Sequence, residues 1–303
     1  ALFINYKPFQ SISIRYAKTN TLTRPDYSSI IPLTRATGFN RSLDWRNKFL
    51  EPGQSNNLDL SVSINQDKLG LLTVGYFEKR IKDLIYSSGS RVILADDTVR
   101  FSQPTEYVSY QIQNYELNNP NYVNLQGWEI DFQTRFWYLP SPLSGLVFNI
   151  NYTVADSEVK YPKYPKTIID GYFDFDIFQY VESNNDTIYV DRLLDQPDEI
   201  INISIGYDHK GFSGRLSMLY NDNVFINTDF WPELRENTDS YKRYDLSVKQ
   251  KLPFNGLEIF LNASNLTETS DNSRFRGITS DGDNFKLRQF YGKTFDLGFR
   301  YSF

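Results

Sequence analysis

The 303-residue chain has no cysteine, one methionine and one histidine. Without cysteine there can be no disulfide, no thiolate nucleophile and no Cys-ligated zinc or iron–sulfur site. The single histidine, His209, sits in Tyr-Asp-His-Lys-Gly and reads as a solvated turn residue, not a metal ligand or catalytic base. No apolar run reaches the roughly 20 residues that a transmembrane helix needs. No run of basic residues could track a phosphate backbone, and the net charge of -5 gives no support to a nucleic-acid partner, so none is expected. No G-x-S-x-G, H-E-x-x-H or Gly-rich phosphate loop occurs, so the sequence reads as a non-enzyme without a cofactor. The opening stretch, Ala1 to Phe9, has neither a charged region nor a cleavage site and is not a signal peptide.

What is present is aromatic. Tyr and Phe number 22 and 23, and aromatics make up 16% of the chain, which suits pleated sheet surfaces. A two-residue alternation recurs from end to end. It puts Ile12, Ile14 and Tyr16 opposite Ser13 and Arg15, and Leu58, Leu60, Val62 and Ile64 opposite Asp59, Ser61 and Ser63. Trp128, Ile130 and Phe132 oppose Glu129, Asp131 and Gln133, and Phe295, Leu297, Phe299, Tyr301 and Phe303 close the chain in the same rhythm. Such a period means half-buried strands. Only 70–81 is less clean, because Phe77 interrupts its polar face.

Short turns rich in Pro, Gly, Asp and Asn alternate strictly with long connections near 20–55, 87–120, 158–197, 222–240 and 267–290. Outer-membrane barrels have this asymmetry, with short periplasmic turns and long extracellular loops. The apolar face of the cleanest strands carries no charge, whereas its opposite carries Arg15, Asp59, Glu129, Asp131, Arg135, Arg215 and Arg300. Lipid-facing Arg or Lys costs about 2–4 kcal/mol at the bilayer midplane, but a lumen accepts it. Tyr and Trp gather at strand ends, as interfacial girdles do. A mean hydropathy of -0.49 is compatible with such a barrel, since half of each strand and all loops are polar. The expected fold is therefore an all-β, antiparallel transmembrane barrel. A soluble β-rich glycan-binding protein and a passive porin are the alternatives.

Eleven strands are predicted, near 2–6, 11–19, 56–66, 70–81, 122–139, 145–156, 198–208, 211–221, 241–252, 256–266 and 291–303. Single-chain bacterial barrels have even strand numbers, so residues 1–303 read as the C-terminal part of one barrel that lacks an odd number of N-terminal strands. The stretches Thr23–Tyr27 (TRPDY), SNNLDLSVSIN, GYFEKRIKDLIY, Ile259–Glu268 (IFLNASNLTE) and YGKTFDLGFRYSF resemble, in this order, the C-terminal half of a TonB-dependent outer-membrane transporter. The resemblance implies a barrel of 22 strands and an N-terminal plug domain. It also implies active import of a scarce, bulky ligand: a siderophore, vitamin, glycan or peptide. The partners it implies are TonB, outer-membrane lipid and the barrel-assembly machinery, which would read Phe299, Tyr301 and Phe303. A surface lipoprotein is a further conceivable partner.

For ligand contact, the sequence singles out bulky aromatics in polar loops, Tyr107, Tyr110, Tyr172, Phe173, Phe175 and Trp231, together with Arg274 and Arg276 for an anionic group. Packing of the loops against one another is the alternative role for the aromatics, and a solvated face for the arginines. Arg15, Asp59, Glu129, Asp131, Arg135, Arg215 and Arg300 are expected to face the plug or the lumen water. Asp170, Asp174 and Asp176 could ligate calcium, but their spacing matches no EF-hand loop, and a solvated acidic loop is the expected reading.

Overall fold

A computed structural model describes residues 1–37, 42–87, 91–92, 110–112, 115–163, 172–174, 179–181, 187–229, 232–254, 256–277 and 284–302. Eleven strands follow one another in a single antiparallel sheet, each hydrogen-bonded to the next in the chain. They are β1 (Leu2–Phe9), β2 (Ile12–Thr23), β3 (Gly53–Gln66), β4 (Gly70–Lys82), β5 (Val123–Arg135) and β6 (Leu146–Lys163). The remaining five are β7 (Glu199–His209), β8 (Phe212–Asn221), β9 (Tyr241–Lys251), β10 (Leu257–Ser264) and β11 (Thr294–Tyr301). The sheet is not closed: β1 pairs only with β2, and β11 only with β10.

The register carries the alternation around the sheet without a slip of face. Asp131 aligns with Thr73 on β4 and Asn151 on β6, and Asn151 in turn with Asn202. Arg215 aligns with Gly206 and Ser247, Ser247 with Asn262, and Asn262 with Asp296. Arg15, Asp59, Glu129, Asp131, Arg135, Arg215 and Arg300 thus share one polar face. The other face runs Ile14, Val62, Val74, Ile130, Tyr152 and Ile201. No second layer covers it: Leu60 is 44% exposed and Leu297 70%, and Ile150 is partly exposed. A soluble sandwich would bury that face.

Local chemistry sets the short turns. His209 pairs with Phe212 across a two-residue hairpin whose central residues, Lys210 (φ 46°) and Gly211 (φ 83°), are both left-handed. A pair of positive φ values matches the twist of the flanking strands, and glycine takes the second without strain. The interruption at Phe77 has a partner. A Cβ on Gly127, its cross-strand neighbour, would stand 2.5 Å from the Phe77 ring, so the aromatic lies across the bare glycine. Arg215 lies in the same way over Gly206.

Strand bounds differ from expectation where the period is blurred. The strand expected to reach 139 ends at Arg135, because Phe136 to Pro142 turn back and the Phe136 amide donates to the Leu146 carbonyl. The strand expected to end at 156 continues to Lys163, its far end pairing with Thr187–Asp191. The stretch Thr23–Tyr27 leads into one helical turn, Tyr27–Ile30, where the Asp26 carboxylate accepts from the Ser28 amide at 2.9 Å.

Candidate functional site

The long connections carry their own short ladders. One four-stranded sheet joins Phe225–Asn227, Glu236–Thr238, Asp271–Phe275 and Phe285–Gln289; another joins Thr34–Thr37, Ser42–Trp45, Gln111–Ile112 and Arg91–Val92. Between them lies the buried apolar core. Leu43, Tyr86, Tyr115, Leu117, Val123, Val159, Tyr161 and Phe225 form one cluster, with Tyr110, Tyr189 and Leu193 against it. Val123 and Val159 lie in register with the polar-face residues of β5 and β6, so this cluster sits on the concave side, at the long-loop end.

Tyr161 is its centre. Its ring is 5.2 Å from that of Tyr189, 5.4 Å from Tyr86 and 6.0 Å from Phe225, and its hydroxyl donates to the Arg192 carbonyl at 3.1 Å. Burial pushes the Tyr161 and Tyr189 hydroxyls far above the ordinary tyrosine range, Asp191 adding to both shifts. Both rings therefore stay neutral at any physiological pH.

The expected ligand arginines are both engaged. Arg274 Nε donates to Asp239 Oδ1 at 2.6 Å, and its guanidinium lies 3.4 Å over the Phe285 ring. Burial raises Asp239, but hydrogen bonds from Arg274 and Asn272 and the Arg274 charge outweigh it, leaving this carboxyl below the usual range. Arg276 pairs with Asp191 at 2.5 Å and donates to Asn237 Oδ1 at 2.6 Å. Each arginine ties separate loop segments together.

Tyr110 packs against the apolar cluster. Tyr172 and Phe173 belong to a two-stranded ladder opposite Val181 and Tyr180, and their side chains lie outside the described set. Tyr107, Phe175, Trp231 and Phe303 lie outside the described residues, as do Asp170 and Asp176. Among the described residues no group of three or more His, Cys, Asp or Glu is arranged to hold a metal.

Among the described residues, two of the hollows on the concave side bear on binding. The first, about 520 Å³, is framed at mid-wall by Asp131, Asn149, Asn151, Asn202, Arg243 and Asp245, with Arg243 and Asp245 paired at 3.0 Å. Asp131 accepts from Gln133 Nε2 at 3.1 Å. The second, about 410 Å³, lies beneath the loop sheet between Asn221, Asp222, Tyr241, Asp271 and Asn272. Sequence reasoning missed this second hollow, whose residues come from three separated stretches that no local pattern connects. Of the other wall charges, Arg215 makes two 2.8 Å bonds to Asp208, and Arg300 stands 3.9 Å from Glu258. Arg15, Asp59, Glu129 and Arg135 are exposed, and none is ion-paired among the described residues. Such a surface can bind by hydrogen bonding and ring contact.

Residues 1–266 match the sequence model of a family described as TonB dependent receptor-like, beta-barrel. No curated protein sequence matches the chain. Among solved structures, an arginine variant of the ferric enterobactin receptor PfeA from Pseudomonas aeruginosa, in complex with enterobactin, superposes with a TM-score of 0.59 at 14% identity, over 99% of this chain and 40% of that one. The copper transporter OprC gives 0.58 at 12%, over 99% and 38%. The pyoverdine receptor FpvA of Pseudomonas aeruginosa PAO1 bound to pyoverdine gives 0.57 at 13%, over 99% and 35%. The chain therefore spans about two fifths of the length of these structures or less. With its open eleven-strand wall, apolar outside, polar inside and roofed by long loops, the chain belongs to the TonB-dependent receptor β-barrel family and is an integral outer-membrane protein.

Proposed function

We propose that the protein containing this chain imports a scarce, bulky ligand across the outer membrane with energy delivered through TonB. The ligand binds at the extracellular ends of the strands and in the loops above them. The observation that carries the reading is the placement of the long loops. They fold inward over the polar concave wall and pack there around Tyr161, which supports gated binding over an open water-filled pore. Import is then gated binding followed by passage, without covalent change to the ligand. The polar wall, Arg15, Asp59, Glu129, Asp131, Arg135, Arg215 and Arg300, contacts a plug in the complete receptor. The strand Phe299-Arg300-Tyr301 with Phe303 serves recognition by the assembly machinery.

The ligand class belongs to the same proposal. Among the described residues the 410 Å³ hollow is lined mainly by carboxylates, amides and hydroxyls and by no Lys or Arg, which suits a neutral, hydroxyl-rich ligand such as a glycan, with a surface lipoprotein as co-receptor. Growth on a candidate ligand as sole source, compared between cells with intact and inactivated TonB, tests the proposal. Uptake that survives loss of TonB at undiminished rate refutes active import and supports a passive channel.

A further inference from the structure

Among the described residues Arg235 is the one buried Lys or Arg, 7% exposed. It follows the turn Pro232–Leu234 and leads into Glu236–Thr238 of the loop sheet. Its guanidinium lies 3.5 Å over the Tyr189 ring, and Tyr189 stacks on Tyr161, so the arginine caps the column of rings. Nε donates to the Asp229 carbonyl at 3.2 Å, but Nη2 is buried and meets no acceptor. Among the described residues no carboxylate pairs with it.

The cations around it are matched. Arg192 pairs with Asp198 at 2.9 Å, Arg274 with Asp239 at 2.6 Å, Arg276 with Asp191 at 2.5 Å, and Lys286 with the buried Glu236 at 2.6 Å. The Tyr189 hydroxyl feels the charges of Arg235, Arg276 and Asp191. Two guanidinium groups thus stand there for one carboxylate, and Arg276 takes that carboxylate. A buried cation left unpaired is costly, and an unfilled buried donor marks a place for an acceptor the chain does not supply. Water could satisfy the donor but not the charge. The guanidinium fork fits a carboxylate or a phosphate.

We propose that Arg235 receives the single anionic group, a carboxylate or phosphate, of an otherwise hydroxyl-rich ligand. This rests on the reading that the loops bind the imported ligand. It moves the anion contact from Arg274 and Arg276, which tie loop segments together, to Arg235. Thr238, on the rim of the 410 Å³ hollow, is three residues further along the chain, about 10 Å when extended. Asp222, Asp239 and Asp271 line that hollow and repel an anion, so the charged end of the ligand is directed to Arg235 and its neutral body to the hollow. An acidic sugar has this polarity. The loops enclose Nη2, so they part to admit the anion and close on it.

The test titrates the receptor, expressed from its complete gene and purified in detergent, with glucuronate, glucose 6-phosphate and the uncharged methyl ester of glucuronate. Ionic strength is held constant and heat of binding is read. The wild type is expected to bind one of the acids about tenfold more tightly than the ester; glucuronate points to a carboxylate ligand, glucose 6-phosphate to a phosphorylated one. R235Q should lose about tenfold toward that acid and nothing toward the ester. R235K should keep part of the preference, since it retains the charge but not the fork. Binding of neither acid, equal binding of acids and ester, or an acid preference that survives in R235Q overturns the proposal. Where R235Q does not fold, R235K decides, and an undiminished preference overturns it. A lowered melting temperature in the variants with the preference unchanged leaves Arg235 only its packing on Tyr189, and also overturns it. Binding to the purified receptor needs no TonB, so failure of this site and failure of the import reading are told apart.

Discussion

Replacing Ile205 by arginine puts the two faces of the wall to a direct test. β7 has 11 residues, and Ile205 lies six residues below Glu199 and four above His209. Strand rise is about 3.4 Å per residue, so a tilt near 45° gives about 2.4 Å of membrane depth per residue. Ile205 then sits about 14 Å below one end of the strand and about 10 Å above the other, deep inside an apolar band about 25 Å tall. Its cross-strand neighbours are Phe148 and Leu216, and the side chain is 53% exposed, so no protein group is available to receive a guanidinium. Arginine at such a depth costs about 2–4 kcal/mol, a factor of about 30 to 900 in the folding equilibrium. Asn202, three residues away and on the opposite face, lines the 520 Å³ hollow beside Asp131 and Asp245. Arginine there meets water and carboxylates and is expected to cost under about 0.5 kcal/mol. Urea titration of the complete receptor folded into phospholipid vesicles, followed by tryptophan fluorescence, measures both. Equal destabilisation by the two substitutions, or a larger loss for Asn202→Arg, would refute the assignment of faces.

Gly127→Val should destabilise by about 1–3 kcal/mol, because the new Cβ would stand 2.3 Å from the Val154 carbonyl oxygen as well as against Phe77; combining it with Phe77→Ala should recover only part of the loss in the same titration. Asn265→Ala should cost about 2–4 kcal/mol: Asn265, 6% exposed at φ 55°, accepts from the Thr269 amide at 2.9 Å and donates to the Thr269 and Gly292 carbonyls at 3.0 Å, and its own amide donates to Asp245. Hydrogen exchange over 265–270 and 292–294 should rise in that variant, and exchange left unchanged would count against the assignment. The Asp239–Arg274 tie has a pH signature. Because the folded carboxyl lies below its ordinary value, the contribution is complete above about pH 4 and is lost as pH falls through the folded value. Protection of Asp271–Phe275 against exchange, taken relative to the intrinsic rate at each pH, should therefore fall on acidification in the wild type but show no such step in Asp239→Asn.

The eleven wall strands were legible because a membrane barrel writes a strict period of two: one side chain must meet hydrocarbon and the next must not. The register then placed all seven wall charges, from Arg15 to Arg300, on one face, as the alternation requires. Strand ends were less legible. Beyond Ala155 the inward row continues as Val159 and Tyr161, buried under loops and not facing lumen water, while the outward row turns polar as Asp156, Glu158 and Lys160, so the apolar residues change phase and the pattern stops reporting on direction. The same cause hid the cluster around Tyr161. Its members lie as far apart as Leu43 and Phe225, and nothing local marks them as neighbours. Arg274 and Arg276 showed their charge in the sequence but not their engagements, because Asp239 and Asp191 come from other connections.

The knot of rings above the wall bears on how this mouth can be rebuilt. Leu43, Tyr86, Tyr115, Tyr161 and Phe225 descend from four different crossings of the membrane surface, yet share one packed interior. Transplanting a single crossing from a relative would therefore strand the other three around a void. Only grafts that exchange the whole knot together should preserve the shape of the opening.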